Sequence, residues 1–329
     1  MKPRFVWVGV LLALFVAGLV VASTGGARSP KPCRGNHGCP TTTAPPTTTT
    51  VPPTTTAPTT TVPVTTTTTG SDPVIAAAGD ACGDPTSCAP TANVIDQINP
   101  SALLTLGDNA YEDGTLSQYQ TNYAPNWGRN NAKVFPAPGN HDFHTANAQG
   151  YRDYFGSRAP GLYYSFDLGA WHLISLASTA GVSPAAGGAE ETWLKSDLAA
   201  HANQCVLAYW HEPRWSQGSV HGNDADLSAI WNDLYAAHAD VVLNGHDHNY
   251  QRFGLLNPSG AADPNGIREF VVGTGGWGHY TFTSSSPIPQ VENDTDYGVL
   301  KMTLHSGSYD WRFVSAGGTF TDAGTDSCH

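Results

Sequence analysis

Five times between residues 74 and 248 the chain repeats one local pattern: an apolar, strand-like run stops at glycine or proline, and a cluster of aspartate, asparagine or histidine follows at once. The runs are "VIAAAGD" ending at Asp80, "ALLTLGDNAY" with Asp108 and Tyr111, "VFPAPGNHD" with Asn140, His141 and Asp142, "CVLAYWHEP" with His211, and "VVLNGHDH" with His246 and His248. Between them lie stretches with apolar residues three and four apart, such as Glu190 to Ala202 and Leu227 to Ala239, which read as amphipathic helices. Strands alternating with helices require a largely parallel sheet, and the strand ends on one side of such a sheet collect the loops. The polar clusters are therefore expected to meet.

Any one of these side chains, taken alone, is more often structural than functional. Five clusters at five strand ends are another matter. His246 and His248, one residue apart, point to the same side of an extended chain. Two Asp, one Asn and three His offer oxygen and borderline nitrogen ligands, a set suited to a pair of first-row ions such as Zn, Mn or Fe. One aspartate can bridge such a pair with its two oxygens. Tyr111, three residues after Asp108, is either a buried core tyrosine or a phenolate ligand suited to Fe(III). Asp142, beside His141, is expected as a supporting carboxylate that orients an imidazole. Glycines 79, 107, 139 and 245 precede the ligands and let the backbone approach the ions closely.

About the first seventy residues do not read as part of this fold. Lys2 and Arg4 precede an uncharged apolar run over residues 5–22, expected to be a signal peptide or an uncleaved membrane anchor. A short Cys-containing segment covers 23–40, and residues 41–71 are nearly all Thr, Pro and Val, a low-complexity tract with nothing to bury. Such a tract is either a plain linker or a stalk tethering the catalytic region to a membrane or cell wall. The protein is accordingly expected to be secreted or held at the cell surface.

The catalytic domain is expected over 72–329. All 27 acidic residues lie after position 70, while five of the 15 basic ones precede it, leaving 10 against 27, or −17, on this part. That balance argues against nucleic acid as a partner. An acidic protein that handles an anion needs a local positive charge, which a bound metal supplies.

Six cysteines in an exported chain point to disulfides. Pairing by neighbourhood suggests Cys33 with Cys39, Cys82 with Cys88, and Cys205 with Cys328. Cys82, two residues after Asp80, has a rival reading as a thiolate ligand.

The ordered series Asp80, "GDNAY", "GNHD", His211 and "GHDH" resembles the calcineurin-like metallophosphoesterases, and the tyrosine in "GDNAY" makes it similar to their purple acid phosphatase branch. The resemblance implies a four-layer αββα sandwich of two mixed sheets flanked by helices. It also implies that Asp108 bridges two ions. Asp80, Tyr111 and His248 would complete one site, and Asn140, His211 and His246 the other, holding Fe with Zn, Mn or Fe. His141 would stand beside them as phosphate contact and proton donor. The chain departs from the branch in "GDACG", where Cys82 takes the place of a glycine, and it lacks a histidine that the wider family often has there.

The expected reaction is hydrolysis of a small phosphomonoester by water activated between the ions, with His141 assisting the leaving group. A phosphodiesterase or nucleotidase on the same metals is the alternative, and a stalked, non-enzymatic binding module the second. "REFVVGTGGWGHY", residues 268–280, is read either as a rim carrying Trp277, His279 and Tyr280 or as a plain turn. Beyond Gly298 the alternation across a turn predicts an antiparallel hairpin.

Overall fold

The computed structural model of the protein describes residues 71–178, 182–202 and 204–329. The apolar leader, the Cys33 and Cys39 segment and the Thr/Pro tract lie outside the described residues. Thirteen strands form two sheets within the described region.

The first sheet is built on β1 (Val74–Ala78), β2 (Ala102–Leu106) and β3 (Val134–Ala137), all parallel. It is extended antiparallel by β11 (Gly298–Leu304), β12 (Ser308–Ser315) and β13 (Ala323–Ser327), in the order β13-β12-β11-β1-β2-β3. The C-terminal hairpin read from the alternation is thus β11–β12, pairing Gly298 with Ser315 through Leu304 with Tyr309.

The second sheet has β5 (Trp171–Ser175), β6 (Cys205–Tyr209), β7 (Val241–Asn244) and β9 (Ile267–Val272) in parallel. Antiparallel β4 (Tyr164–Leu168), β8 (Tyr250–Leu256) and β10 (Val291–Asn293) complete the order β10-β8-β9-β7-β6-β5-β4.

Side chains on the central strands of this sheet sort by parity. Leu173, Leu207, Tyr209, Val241, Leu243, Phe270 and Val272 enter the core between the sheets, together with Ile75 and Leu104, which share one face of the first sheet. Their neighbours Ile174, Val206, Ala208, Val242 and Val271 face the other way, onto Leu194 and Leu198 of α4 (Ala189–Ala200) and Ile230, Trp231 and Leu234 of α5 (Ser228–Ala236). Apolar residues on both faces of a strand mark a sheet covered on both sides. On the far side, α1 (Ala89–Ile98) packs Ala92, Val94 and Ile95 against the first sheet, and the short helices α2 (Leu116–Gln118) and α3 (Gln149–Phe155) follow β2 and β3 in the chain. Helix, sheet, sheet, helix is the four-layer order. The two predicted helices start within a residue of α4 and α5 and overrun them by two to three, since each run carries apolar alanines past the last helical residue.

Two disulfides join the predicted pairs. Cys82–Cys88 closes the loop after β1, which removes Cys82 as a thiolate ligand, and Cys205–Cys328 ties the start of β6 to the end of β13 across 123 residues. The Cys33 and Cys39 pairing lies outside the described residues.

Candidate metal centre

The sequence-predicted ligands come from the C-terminal ends of β1, β2, β3, β6 and β7, and the fold brings all seven together. Three of them, Asp80 (φ 57°), Asp108 (φ 47°) and His246 (φ 70°), hold left-handed backbone conformations that non-glycine residues seldom adopt. Each turn aims its side chain back into the cleft between the sheets. The approach is close: a methyl group on Gly139 would run into Asp108 Oδ1, and Gly107, itself at φ 82°, lies under the ring of His211.

Two groups of donor atoms result. In the first, Tyr111 Oη lies 2.9 Å from Asp80 Oδ1, 3.2 Å from Asp108 Oδ2 and 3.2 Å from His248 Nε2, while His248 Nε2 is 3.3 Å from Asp80 Oδ1. In the second, His211 Nε2 lies 3.2 Å from Asp108 Oδ2, 3.1 Å from Asn140 Oδ1 and 3.2 Å from His246 Nδ1. Asp108 Oδ2 belongs to both.

This corrects one expectation. Asp108 faces the two groups with a single oxygen, because its Oδ1 accepts the backbone N–H of His141 at 2.8 Å. Asp80 is divided in the same way, its Oδ2 accepting the backbone N–H of His246 at 2.8 Å. Each carboxylate therefore spends one oxygen fixing the loop that carries a partner from another strand.

The arrangement suits cations. Donor atoms around a first-row ion at about 2.0–2.2 Å stand roughly 3.0–3.5 Å apart, the spacing found in both groups. Among the described residues no Lys or Arg pairs with Asp80 or Asp108, although both carboxylates are buried. His211 Nδ1–H donates to the carbonyl of Leu106 at 2.7 Å, so Nε2 is the nitrogen turned inward. Burial works against a proton there, but Asp108 and Asp80 outweigh it and hold the His211 pKa well above the ordinary range. Burial, reinforced by Asp108 and Asp80, likewise keeps the Tyr111 phenol protonated far beyond its usual pKa. A bound cation reverses both effects, displacing these protons as ligands deprotonate.

His141 stands at the mouth, partly exposed, with Nδ1–H donating to the carbonyl of Glu112 at 2.6 Å and Nε2 turned inward, 3.9 Å from Asp108 Oδ2. Asp142 does not orient an imidazole. Fully buried, it accepts from Tyr119 Oη at 2.6 Å, Gly139 N at 2.9 Å and Asn109 Nδ2 at 3.1 Å. Its task is to lock the turn that presents Asn140 and His141. Burial and the nearby Asp108 push its pKa up to about 6.

The loop after β9 is a rim rather than a plain turn. Trp277 stacks on Tyr111 with centroids 5.1 Å apart, and Tyr280 stacks on His248 at 4.0 Å. His279 turns away, its ring on Tyr297. Sequence reasoning missed His221, which stacks on His246 at 3.7 Å and meets Tyr280 at 5.7 Å. Its loop is held by Asp247, whose carboxylate accepts from Ser216 Oγ and from Gly222 N at 3.1 Å. No strand runs into His221, so the pattern of polar clusters at strand ends gave no signal for it.

A four-layer αββα frame with paired Asp/His donor groups at its strand ends defines a phosphoesterase-type metallohydrolase fold. The sequence over residues 74–250 matches the calcineurin-like phosphoesterase family, and the chain belongs to that family. Within it the similarity runs to the purple acid phosphatase branch. Purple acid phosphatase 15 of Arabidopsis thaliana is 34% identical over 120 residues, 35% of this chain and 22% of that protein. Purple acid phosphatase 21 of the same plant is 28% identical over 209 residues, covering 56% and 47%. The chain spans between about a fifth and a half of the length of these curated relatives. The fold is shared with the purple acid phosphatase PPD1 from yellow lupin (Lupinus luteus) seeds, at a TM-score of 0.63 and 17% identity, over 78% of this chain and 54% of that one.

Proposed function

We propose that this chain is an exported phosphoesterase that hydrolyses small phosphomonoesters with two metal ions. The observation that carries the proposal is the sharing of Asp108 Oδ2 between two donor groups, Asp80, Tyr111 and His248 on one side and Asn140, His211 and His246 on the other. When bound, the two ions supply a clamp for phosphoryl oxygens and acidify a water for attack. The aromatic and imidazole donors fit Fe in the Tyr111 group with Zn, Mn or Fe in the other.

The chain's own residues supply the rest. His141, with Nδ1–H fixed on the Glu112 carbonyl, presents Nε2 toward the cleft and is placed to give a proton to the leaving oxygen. Trp277 and Tyr280 cover the Tyr111 and His248 side and limit water there. His221 and Tyr280 border the opening on the His246 side. Two disulfides and the apolar leader support an oxidising, extracytoplasmic location, with the Thr/Pro tract as a spacer to a membrane or wall.

The test is hydrolysis of an aryl phosphate monoester beside the matched diester, before and after chelation and after reloading with Fe and Zn. Faster monoester turnover that disappears on chelation and returns on reloading supports the proposal. Preference for the diester moves the chain to the phosphodiesterase alternative, and no turnover with a loaded centre favours a binding module.

A further inference from the structure

The opening of the centre is lined by rings, each resting on the ring of a ligand residue. Trp277 lies on Tyr111 at 5.1 Å and 23°, Tyr280 on His248 at 4.0 Å and 11°, and His221 on His246 at 3.7 Å and 30°. None of the three is buried, so ring surface remains for a bound molecule.

Charge at the opening is one-sided. Glu112 follows Tyr111 in the chain, and its side chain is 59% exposed. Its Oε2 lies 3.5 Å from His141 Nδ1, on the edge of the imidazole opposite the Nε2 that faces Asp108. The next carboxylate, Asp113, is taken up by His144 Nδ1 at 3.1 Å. Among the described residues no Lys or Arg pairs with either; Arg129, Arg252 and Arg268 are tied to Asp96, Asp322 and Asp326 elsewhere. His141 marks the side on which the leaving oxygen departs, so the organic part of the ester must lie beside it. There it meets Glu112, and it meets Trp277 as well, since His141 and Trp277 both border Tyr111, at 4.6 and 5.1 Å.

Resting on the phosphomonoesterase reading of this centre, we propose that Glu112 and Trp277 set the substrate class. The preferred monoesters carry an amine on the organic group, neutral groups come second, and groups with a further anion come last. An ammonium gains from the indole ring and from the carboxylate together. A second anion meets Glu112 and finds no Lys or Arg to hold it.

Phenyl phosphates bearing an aminomethyl, hydroxymethyl or carboxymethyl group at the para position test this, because they differ in charge beyond a methylene and little at the bond that breaks. With the full chain loaded with Fe and Zn, kcat/KM should fall in that order, by about tenfold from first to last at low ionic strength, and salt should narrow the spread. Glu112→Gln keeps the backbone carbonyl that holds His141 and should compress the spread, while Glu112→Lys should reverse the order. Phenylphosphonates with the same three substituents are not hydrolysed, and their Kd values, read from quenching of tryptophan fluorescence, should follow the same order. Absence of turnover with that order of binding counts against the phosphatase reading and supports the assignment of Glu112. Equal Kd values across the three phosphonates, or an order that Glu112→Gln leaves untouched, overturn the proposal.

Discussion

The backbone N–H of His141 donates to Asp108 Oδ1 at 2.8 Å, while the His141 imidazole Nε2 stands 3.9 Å from the other oxygen of that carboxylate. The position of the acid–base candidate is therefore set by the shared metal ligand, through the main chain. Truncating the side chain leaves that bond intact.

His141→Ala should accordingly keep its full metal content and lose about 10²–10⁴-fold in kcat, the range of general acid–base catalysis. Metal analysis beside steady-state kinetics checks it. Loss of metal in the variant would make His141 a ligand instead.

Tyr111 is the donor expected to give colour. With Fe(III) in its group, the phenolate should donate charge to the metal and produce a visible absorption band, which Tyr111→Phe should remove. A band that survives the substitution assigns the chromophore to another residue.

Stability should increase on mild acidification because of Glu269 on β9. This carboxyl is fully buried, and its Oε1 accepts the amides of Arg214 at 3.0 Å and Trp215 at 3.2 Å. Burial pushes its pKa up to about 8 from an ordinary 4.5, against the opposing pull of those amides. The folded state keeps a proton that the unfolded chain releases, so this contribution is complete below the ordinary value and lost as pH rises through about 8. Glu190, buried near Ala177 and also held at about 8, acts in the same direction. The Tm should be higher by at least ~2–4 °C at about pH 5.5 than at about pH 8.5. Glu269→Gln should flatten that difference, and an unchanged pH profile in the variant would show that Glu269 titrates normally.

The Cys205–Cys328 bond holds β13 to β6 across 123 residues. Replacing both cysteines by serine should lower unfolding free energy by roughly 2–4 kcal/mol, measured by denaturant titration of oxidised wild type and variant. Peptide mapping without reductant should recover the pair joined, and free thiols at both positions in oxidised protein would remove the staple.

Much of this was legible because the fold repeats its rule. A parallel strand must end in a loop, and each polar cluster marks one such end, so the positions converging near Asp108 could be read from local sequence. What stayed hidden depends on contacts between distant loops. His221 reaches His246 only because Asp247 holds its loop through Ser216 and Gly222. Asp142 looked like a partner for the adjacent His141, but neighbouring side chains diverge, and it turns inward to Tyr119, Asn109 and Gly139. The division of Asp108 between a backbone amide and the cleft follows from the turn at Asn140, which no spacing reveals. The irregular helical path from Leu116 to Lys133 also carried no clear period.

The central claim is that two ions share Asp108. The most direct measurement is metal content per chain against activity during stepwise reloading of demetallated protein. The account predicts saturation at two ions per chain, with monoester hydrolysis appearing as the second ion binds, and loss of both ions' tight binding in Asp108→Ala. Full activity in the demetallated protein, or saturation at one ion per chain with full activity, would contradict it.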